Sequence, residues 1–369
     1  KFFLLSEKDL IQLTVMTLIS VFLFGFPGLV MMIFLQWLTR RSYAHDVVEK
    51  HGISQIDASR LGGFAIFIFS GGLWLTADYW GIVSSTSDLG MPLVGWVGVL
   101  MCWGLGFVED LDNNVLSPKA RLFITFVIFA FVIGFCPALV PNNLGMPILD
   151  LLLLLPVMGW MLTIVFCVGF INATNMADGA NGLMPGIVTI AFSIFFLETE
   201  LLIYAVMMTS CGLFTIFNVI SGRVFLGDAG AYGLGAALVI SSLHLFSKDI
   251  FSAMYLAVLF AYPCIDLVAS LIRRRWQGRP LLLPDNDHLH NQIHFHCKHR
   301  FSSKTIANSV TGVLIVSFSS GLALLSYANL MWEITDNKWG WVFFSQCALY
   351  FFTLLFTREG FSPKEFVNT

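Results

Sequence analysis

The sequence predicts an all-α fold, a polytopic membrane helix bundle of about 11 transmembrane helices. Three observations carry that reading. Of 369 residues, 57% are hydrophobic and only 12% charged, about half the charged fraction of a soluble domain, and the mean hydropathy is +0.80. Many apolar runs reach the roughly 18 to 20 residues that a helix needs to cross a bilayer. Lipid offers backbone groups no partner, so only helices or a closed barrel can span it. These runs are continuous and rich in Leu, Phe, Ile and Val rather than alternating, which selects helices.

Spans are expected at 10–38, 62–81, 93–108, 121–140, 151–171, 184–197, 201–220, 231–247, 250–272, 305–327 and 340–356. The first run is too long for a signal-peptide core and lacks a small-residue cleavage site, so it reads as a retained span. Runs 184–197 and 201–220 are joined only by L-E-T-E. Run 250–272 carries Asp266 close to its end, expected as the buried partner of an arginine in Arg273–Arg275. No repeat, low-complexity stretch or hydrophilic domain interrupts the pattern, so residues 1–369 are expected to form one membrane domain. The seven cysteines show no C-x-x-C pairing, and six lie inside apolar runs, where Cys behaves as a small hydrophobe.

The basic residues orient the bundle. With the N-terminus outside (periplasmic) and the C-terminus inside (cytoplasmic), sixteen of the twenty Lys and Arg fall on the inner face, and basic loops stay cytoplasmic. No basic tail or stripe suggests nucleic acid as a partner. Five polar segments then share the cytoplasmic side: 51–63, 109–121, 172–183, 218–230 and 284–296, the last within a basic loop at 273–304. The outward loops, such as S-S-T-S-D-L-G-M-P, look like ordinary turns.

Chemistry follows from that asymmetry. Asp110, Asp112, Asp178 and Asp228 at the inner mouths of spans suit a hard divalent cation held by one or two carboxylates, with phosphates completing its shell. Basic and histidine-rich loops beside them suit phosphate recognition, and glycines flanking Asp178 and Asp228 allow close backbone approach. Together they point to phosphoryl transfer at the membrane surface, which rests on positioning and charge neutralisation. Each cluster also has a plainer reading: Asp178 as a helix cap, Asp228 as a turn residue, Glu109–Asp112 as a solvated acidic patch, Arg273–Arg275 as a membrane anchor. Their joint occurrence on one face argues against the plain readings. H-N-Q-I-H (290–294) has zinc-protease spacing, but Asn291 stands where the glutamate base belongs. A transporter is the alternative from another class; it would place ionisable residues near the bilayer midplane, where only Asp266 offers itself.

The motifs resemble the polyprenyl-phosphate N-acetylhexosamine-1-phosphate transferases, glycosyltransferase family 4, from about residue 51 to 300. S-R-L-G-G (59–63) is similar to the family's T-P-R-x-G-G. E-D-L-D…S-P-K-A-R resembles its D-D loop with the basic segment after it. N-M-A-D-G-A-N-G-L resembles N-x-x-D-G-x-D-G-L, and N-V-I-S-G-R-V-F-L-G-D-A-G resembles N-x-P-x-x-F-x-G-D-x-G-S. P-D-N-D-H-L-H-N matches P-D-x-x-H-x-H-H.

The resemblance implies a bacterial inner-membrane enzyme. It would move an N-acetylhexosamine-1-phosphate from a UDP-N-acetylamino sugar to polyprenyl (undecaprenyl) phosphate and release UMP, using Mg²⁺ or Mn²⁺. It implies Asp228 as principal metal ligand and Asp178 in the nucleotide–metal pocket. Asp110, with Glu109 beside it, would face the lipid phosphate as base or orienting carboxylate. Asn175, Asn181 and Asn218 would lie near the nucleoside, His288 and His290 at diphosphate or sugar, and Arg60, Lys119 and Arg279 on phosphates and substrate. Some relatives pair through apolar span faces, so a homodimer fits the resemblance. Glu109, Asn181, Asn291 and Ala231 depart from the pattern. They lean away from the muramoyl-pentapeptide branch and toward lipid-linked glycans of the O-antigen or capsule type.

Overall fold

A computed structural model describes residues 7–40, 58–83, 86–112, 115–281 and 286–358. Sixteen α-helices run through them: α1 Glu7–Phe24, α2 Phe26–Leu38, α3 Gly62–Tyr79, α4 Leu93–Leu111, α5 Pro118–Phe135, α6 Pro147–Leu153, α7 Pro156–Ala177 and α8 Leu183–Thr199. The rest are α9 Leu202–Ser221, α10 Gly227–Ser247, α11 Ala253–Leu259, α12 Ala261–Trp276, α13 Leu289–Arg300, α14 Lys304–Phe318, α15 Ser320–Ala328 and α16 Trp339–Thr357. Among the described residues six helices are long and apolar enough to cross a membrane, or up to eight if each bent pair is one span. The sequence count of about 11 is therefore too high by this measure: run 10–38 is broken in two, α8 is only 17 residues long, and α3 is not among these spans.

The run 10–38 is the first correction. It breaks at Gly25, whose φ of +64° suits a residue without Cβ. There is no room for a side chain on Gly28 against Ser20, so α1 and α2 fold back on each other. Gln12 donates to the Ile220 carbonyl near the end of α9, and Phe24 reaches Gly212 in the middle of that helix. The chain thus enters beside the end of α9, turns halfway along it and returns, rather than starting at the opposite face as expected.

The second correction is the pair of bent runs. Run 250–272 is α11 and α12 set at 82°, and 305–327 is α14 and α15 set at 47°. Pro263 has no N–H to continue α11's ladder, and each break leaves orphaned backbone groups that lipid cannot satisfy. The two breaks satisfy each other. Ser320 donates to the Leu259 carbonyl (2.6 Å), Ser319 Oγ accepts from Tyr262 N–H (3.1 Å), and Gln346 of α16 donates to Val258 and Ser319 carbonyls (3.3 and 3.2 Å).

The centre of the bundle is α10, nearly all of it buried. Its opening, G-D-A-G-A-Y-G-L-G-A-A, is mostly small residues, which let helix backbones touch. A Cβ on Gly63 of α3 would run into the Gly230 backbone, and one on Gly106 of α4 would lie 2.6 Å from Ala229 N. Thr174 of α7 donates to the Ala231 carbonyl (3.0 Å). Three helices are thereby drawn against the first turns of α10, and they carry three of the polar segments with them.

Candidate functional site

The site is built around the start of α10. V-F-L-G before it supplies no capping side chain, although the first N–H groups of any helix need acceptors. Carboxylates from other helices do the work. Asp110 of α4, 1% exposed, accepts from Asp228 N–H on Oδ1 and from Ala229 N–H on Oδ2, each at 2.8 Å. Asp178, just past the end of α7, accepts from Gly227 N–H. Gly227 sits at φ +74°, and a Cβ there would lie 2.7 Å from Asp110 Oδ2, so only glycine lets the clamp close.

The S-R-L-G-G segment lies alongside 223–226 as a short parallel pairing: Ser59 N–H to Arg223 carbonyl, Phe225 N–H to Ser59 carbonyl, Gly62 N–H to Phe225 carbonyl. That pairing buries Arg60 near both Asp110 and Asp178. Asp228 keeps its side chain partly open, at 22% exposure. Arg121 Nη1 stands 3.9 Å from Asp228 Oδ2 and 3.7 Å from Glu109 Oε2, while Glu109 Oε1 accepts from Leu116 N–H at 2.8 Å. The Asp178 carboxyl is pushed up to about 7, first by burial and then by the negative charge of Asp228, against the opposing effects of Arg60 and the Gly227 N–H.

The histidine segment closes the far side. It is a helix, α13, capped at its start by the backbone of His288. His288 Nδ1 lies 2.6 Å from Asp266 Oδ2, and Asp266 Oδ1 accepts from Tyr350 O–H (2.7 Å) and Leu289 N–H (3.3 Å). His290 Nδ1 lies 2.8 Å from Tyr262 O–H, and its other nitrogen faces Gly179. Burial, then the neighbouring charge of His288, holds the His290 imidazole down to about 3, so it is neutral. Asp266 is thus tied to His288 and Tyr350, not to the arginine expected from sequence. Arg273 pairs with Asp287 (3.4 Å) and Arg274 donates to the Leu281 carbonyl (2.6 Å).

All five polar segments therefore meet, through Arg60, Asp110, Glu109, Asp178, Asp228, His288 and His290. Others stand elsewhere. Asn218 is a brace: its Oδ1 accepts from Gly182 N–H (2.5 Å) and its Nδ2 donates to the Val224 carbonyl (2.8 Å). Asn181 turns to α14, with its N–H on Asn308 Oδ1 (3.0 Å) and its Nδ2 near Ser309 Oγ (3.4 Å). Asn175 is half-buried beside Tyr232. Lys119 and Arg279 are exposed. Arg121 is the member that sequence reasoning passed over; it lies two residues beyond Lys119 in the same S-P-K-A-R. Residues 51–57, 113–114 and 282–285 of the expected loops lie outside the described residues.

The structure is thus a bundle with membrane-length helices that gathers carboxylates, arginines and histidines at one end. Residues 92–246 match the model of glycosyl transferase family 4. It is 28% identical over 262 residues to a probable undecaprenyl-phosphate N-acetylglucosaminyl 1-phosphate transferase of Bacillus subtilis, covering 66% of this chain and 68% of that one. It is 28% identical over 197 residues to an undecaprenyl-phosphate alpha-N-acetylglucosaminyl 1-phosphate transferase of Thermotoga maritima, covering 53% and 59%. A decaprenyl-phosphate N-acetylglucosaminephosphotransferase of Mycobacterium tuberculosis is 27% identical over 271 residues, covering 63% and 65%.

Proposed function

We propose that the protein transfers N-acetylhexosamine-1-phosphate from a UDP-sugar to a membrane polyprenyl phosphate, with release of UMP. The observation that carries the reading is the clamp at α10, where Asp110 and Asp178 hold the helix start beside the open carboxylate of Asp228 and two arginines. A phosphate oxygen of the lipid attacks the sugar-bearing phosphorus of the donor. A new P–O–P linkage forms, the bond to the UMP oxygen breaks, and UMP leaves with that electron pair. The attacking phosphate is already ionised near neutral pH, so no base is required. That agrees with Asp110, whose two oxygens are both engaged by backbone N–H groups; its role is to hold Asp228 in place.

Asp228 and Asp178 suit a Mg²⁺ ion, which binds through one or two carboxylates and completes its shell with water and phosphate. Burial and then the charge of Asp228 raise the Asp178 carboxyl, and a divalent cation would offset the second of these. Bound there, the ion would offset the charge of the donor diphosphate. Arg60 and Arg121 add fixed positive charge on either side, and His290 directs a ring nitrogen toward the Asp178 loop. Asn291, in place of the family's third histidine, supports a lipid-linked glycan of the O-antigen or capsule type in a bacterial inner membrane.

The test is UMP release by the purified protein in nanodiscs, supplied with undecaprenyl phosphate, Mg²⁺ and a panel of UDP-N-acetylamino sugars. Release that needs lipid, metal and one donor, and that disappears in Asp228→Asn, supports the reading. Silence from well-folded protein across the panel refutes it.

A further inference from the structure

The 82° bend between α11 and α12 has a consequence for the two buried histidines. It places Tyr262 in the first turn of α12 and Asp266 one turn further on, so the two side chains share a face. Against that face lie His290 and His288 in reverse order, Tyr262 on His290 and Asp266 on His288. The imidazole rings are stacked, with centroids 5.3 Å apart and planes 3° from parallel.

We propose that Asp266 and Tyr262 are positioning residues that determine which ring nitrogen of His288 and of His290 carries the proton, and hence what each presents to the substrate diphosphate. This rests on the functional reading above. An ionised carboxylate only accepts, so the 2.6 Å contact with Asp266 Oδ2 commits the proton of His288 to Nδ1. Nε2 is then left as the nitrogen that can take or share a further proton. Asp266 cannot turn away, because Tyr350 O–H and Leu289 N–H hold its other oxygen. Ser270 Oγ, which accepts from Arg273 Nη2 at 3.1 Å, is the longer contact of the same Nδ1, at 3.3 Å.

His290 is set the other way. Its own backbone N–H donates to the Tyr262 hydroxyl oxygen (3.3 Å). The hydroxyl hydrogen is thereby directed to the ring Nδ1 at 2.8 Å, so the ring proton resides on Nε2, the nitrogen facing Gly179. The neutral state of this ring agrees with that assignment. One face of α12 thus gives the site a fixed N–H donor from His290 and a fixed Nε2 acceptor from His288. An outer carboxylate fixes tautomer and orientation of metal-binding and catalytic histidines in the same way.

The test combines a spectrum with kinetics. Protein labelled with ¹⁵N-histidine in nanodiscs is read by long-range ¹H–¹⁵N correlation at pH 8, with His288→Gln and His290→Gln used for assignment. The expected spectrum has His288 as the Nδ1–H tautomer and His290 as the Nε2–H tautomer. In Asp266→Asn the new amide can donate to Nδ1, so His288 is expected to switch to Nε2–H. In Tyr262→Phe the His290 tautomers are expected to mix. UMP turnover should fall on the order of 100-fold in Asp266→Asn, with the donor KM moving far less and the thermal midpoint retained. A bare Nδ1 on His288 in the wild type, or wild-type turnover in both variants, would overturn the proposal. If Asp266→Asn does not fold, Tyr262→Phe, which keeps the ring, decides by the same two readouts. Wild-type protein inactive with every donor but showing both tautomers would refute the functional reading and support the histidine assignment.

Discussion

Gly179 lies so close to His290 that a Cβ added to it would stand 2.6 Å from the ring Cδ2 and 2.8 Å from Cε1. The aspartate loop and the histidine helix therefore touch through a glycine, one residue from Asp178. Gly179→Ala forces the imidazole or the loop to move by about an ångström, and a displacement of that size can cost about 100-fold in rate. The expected result is a loss of UMP turnover of roughly that size with the helix content retained by circular dichroism. Full activity in Gly179→Ala would show that His290 and Asp178 need not keep this spacing.

Asp110 supplies the cap that the V-F-L-G segment lacks. Asp110→Asn replaces one acceptor oxygen with an amide N–H₂ facing the backbone N–H of α10, leaving a buried donor unsatisfied. That costs about 1–3 kcal/mol, and it tilts Asp228. The variant is expected to lose thermal stability and activity together. A variant that lost turnover at unchanged thermal midpoint would instead assign Asp110 a direct part in the chemistry.

Arg121 and Lys119 separate cleanly. Arg121 stands within 4 Å of both Glu109 and Asp228, whereas Lys119 is exposed. Lys119→Ala is expected to stay within about 0.5 kcal/mol of wild type, as surface changes usually do. Arg121→Ala removes a charge beside Asp228 and is expected to reduce turnover at least tenfold. Arg121→Lys should recover part of the loss, because both contacts run through the single nitrogen Nη1, whose charge an ammonium on a shorter stem replaces only in part. Steady-state UMP release for the three variants decides the matter; equal losses at 119 and 121 would contradict it.

Asp178 makes stability depend on pH and metal. Its carboxyl titrates at about 7 in the fold and near 4 when unfolded. Between those values the folded state holds more protons, so the contribution of Asp178 to stability is greatest below about pH 4 and falls as pH rises to 7. Asp178→Asn removes that penalty. In metal-free buffer the variant is expected to melt above wild type at pH 8, by on the order of 2 kcal/mol once partial exposure is allowed for, with the gap narrowing toward pH 5. Mg²⁺ should raise the wild-type midpoint at pH 8 more than that of the variant. A gap independent of pH would mean that the ionised carboxylate is not penalised.

How much of this was legible in the sequence depended on whether one residue type has one use. The membrane-length runs at 93–108, 201–220, 231–247 and 340–356 correspond to α4, α9, α10 and α16, because an apolar stretch of that length has one main use, a helix that crosses lipid. The breaks were less visible, since Phe260 and Phe318 keep the runs apolar where the helices stop; Gly25, Pro263 and Ser319–Ser320 were the available signals. In the site, aspartates beside glycines stood out against a greasy background. Asn181 and Asn218 did not reveal themselves as braces, because the same amide that could read a nucleoside also joins Gly182 to Val224 or meets Ser309. Lys119 and Arg121 differ by about 200° around a helix, so the face turned to Asp228 emerges only once α4 and α5 are packed.

Gln346 joins the broken helices to α16, and its loss should show how much they depend on one another. Its amide donates to the Val258, Phe318 and Ser319 carbonyls at 3.3, 3.4 and 3.2 Å, all at helix ends where lipid offers no substitute. Gln346→Leu keeps the volume and removes the donors, at a cost of about 1–3 kcal/mol for the acceptors left behind. Ser320→Ala frees the Leu259 carbonyl alone and is expected to cost less. Because α12 carries Tyr262 and Asp266, the Gln346 variant is also expected to lower UMP turnover, and Ser320→Ala to leave it nearer wild type. Thermal midpoints and turnover measured on both variants test the link. A destabilised Gln346→Leu with full activity at low temperature would show that the angle between α11 and α12 is held by other contacts.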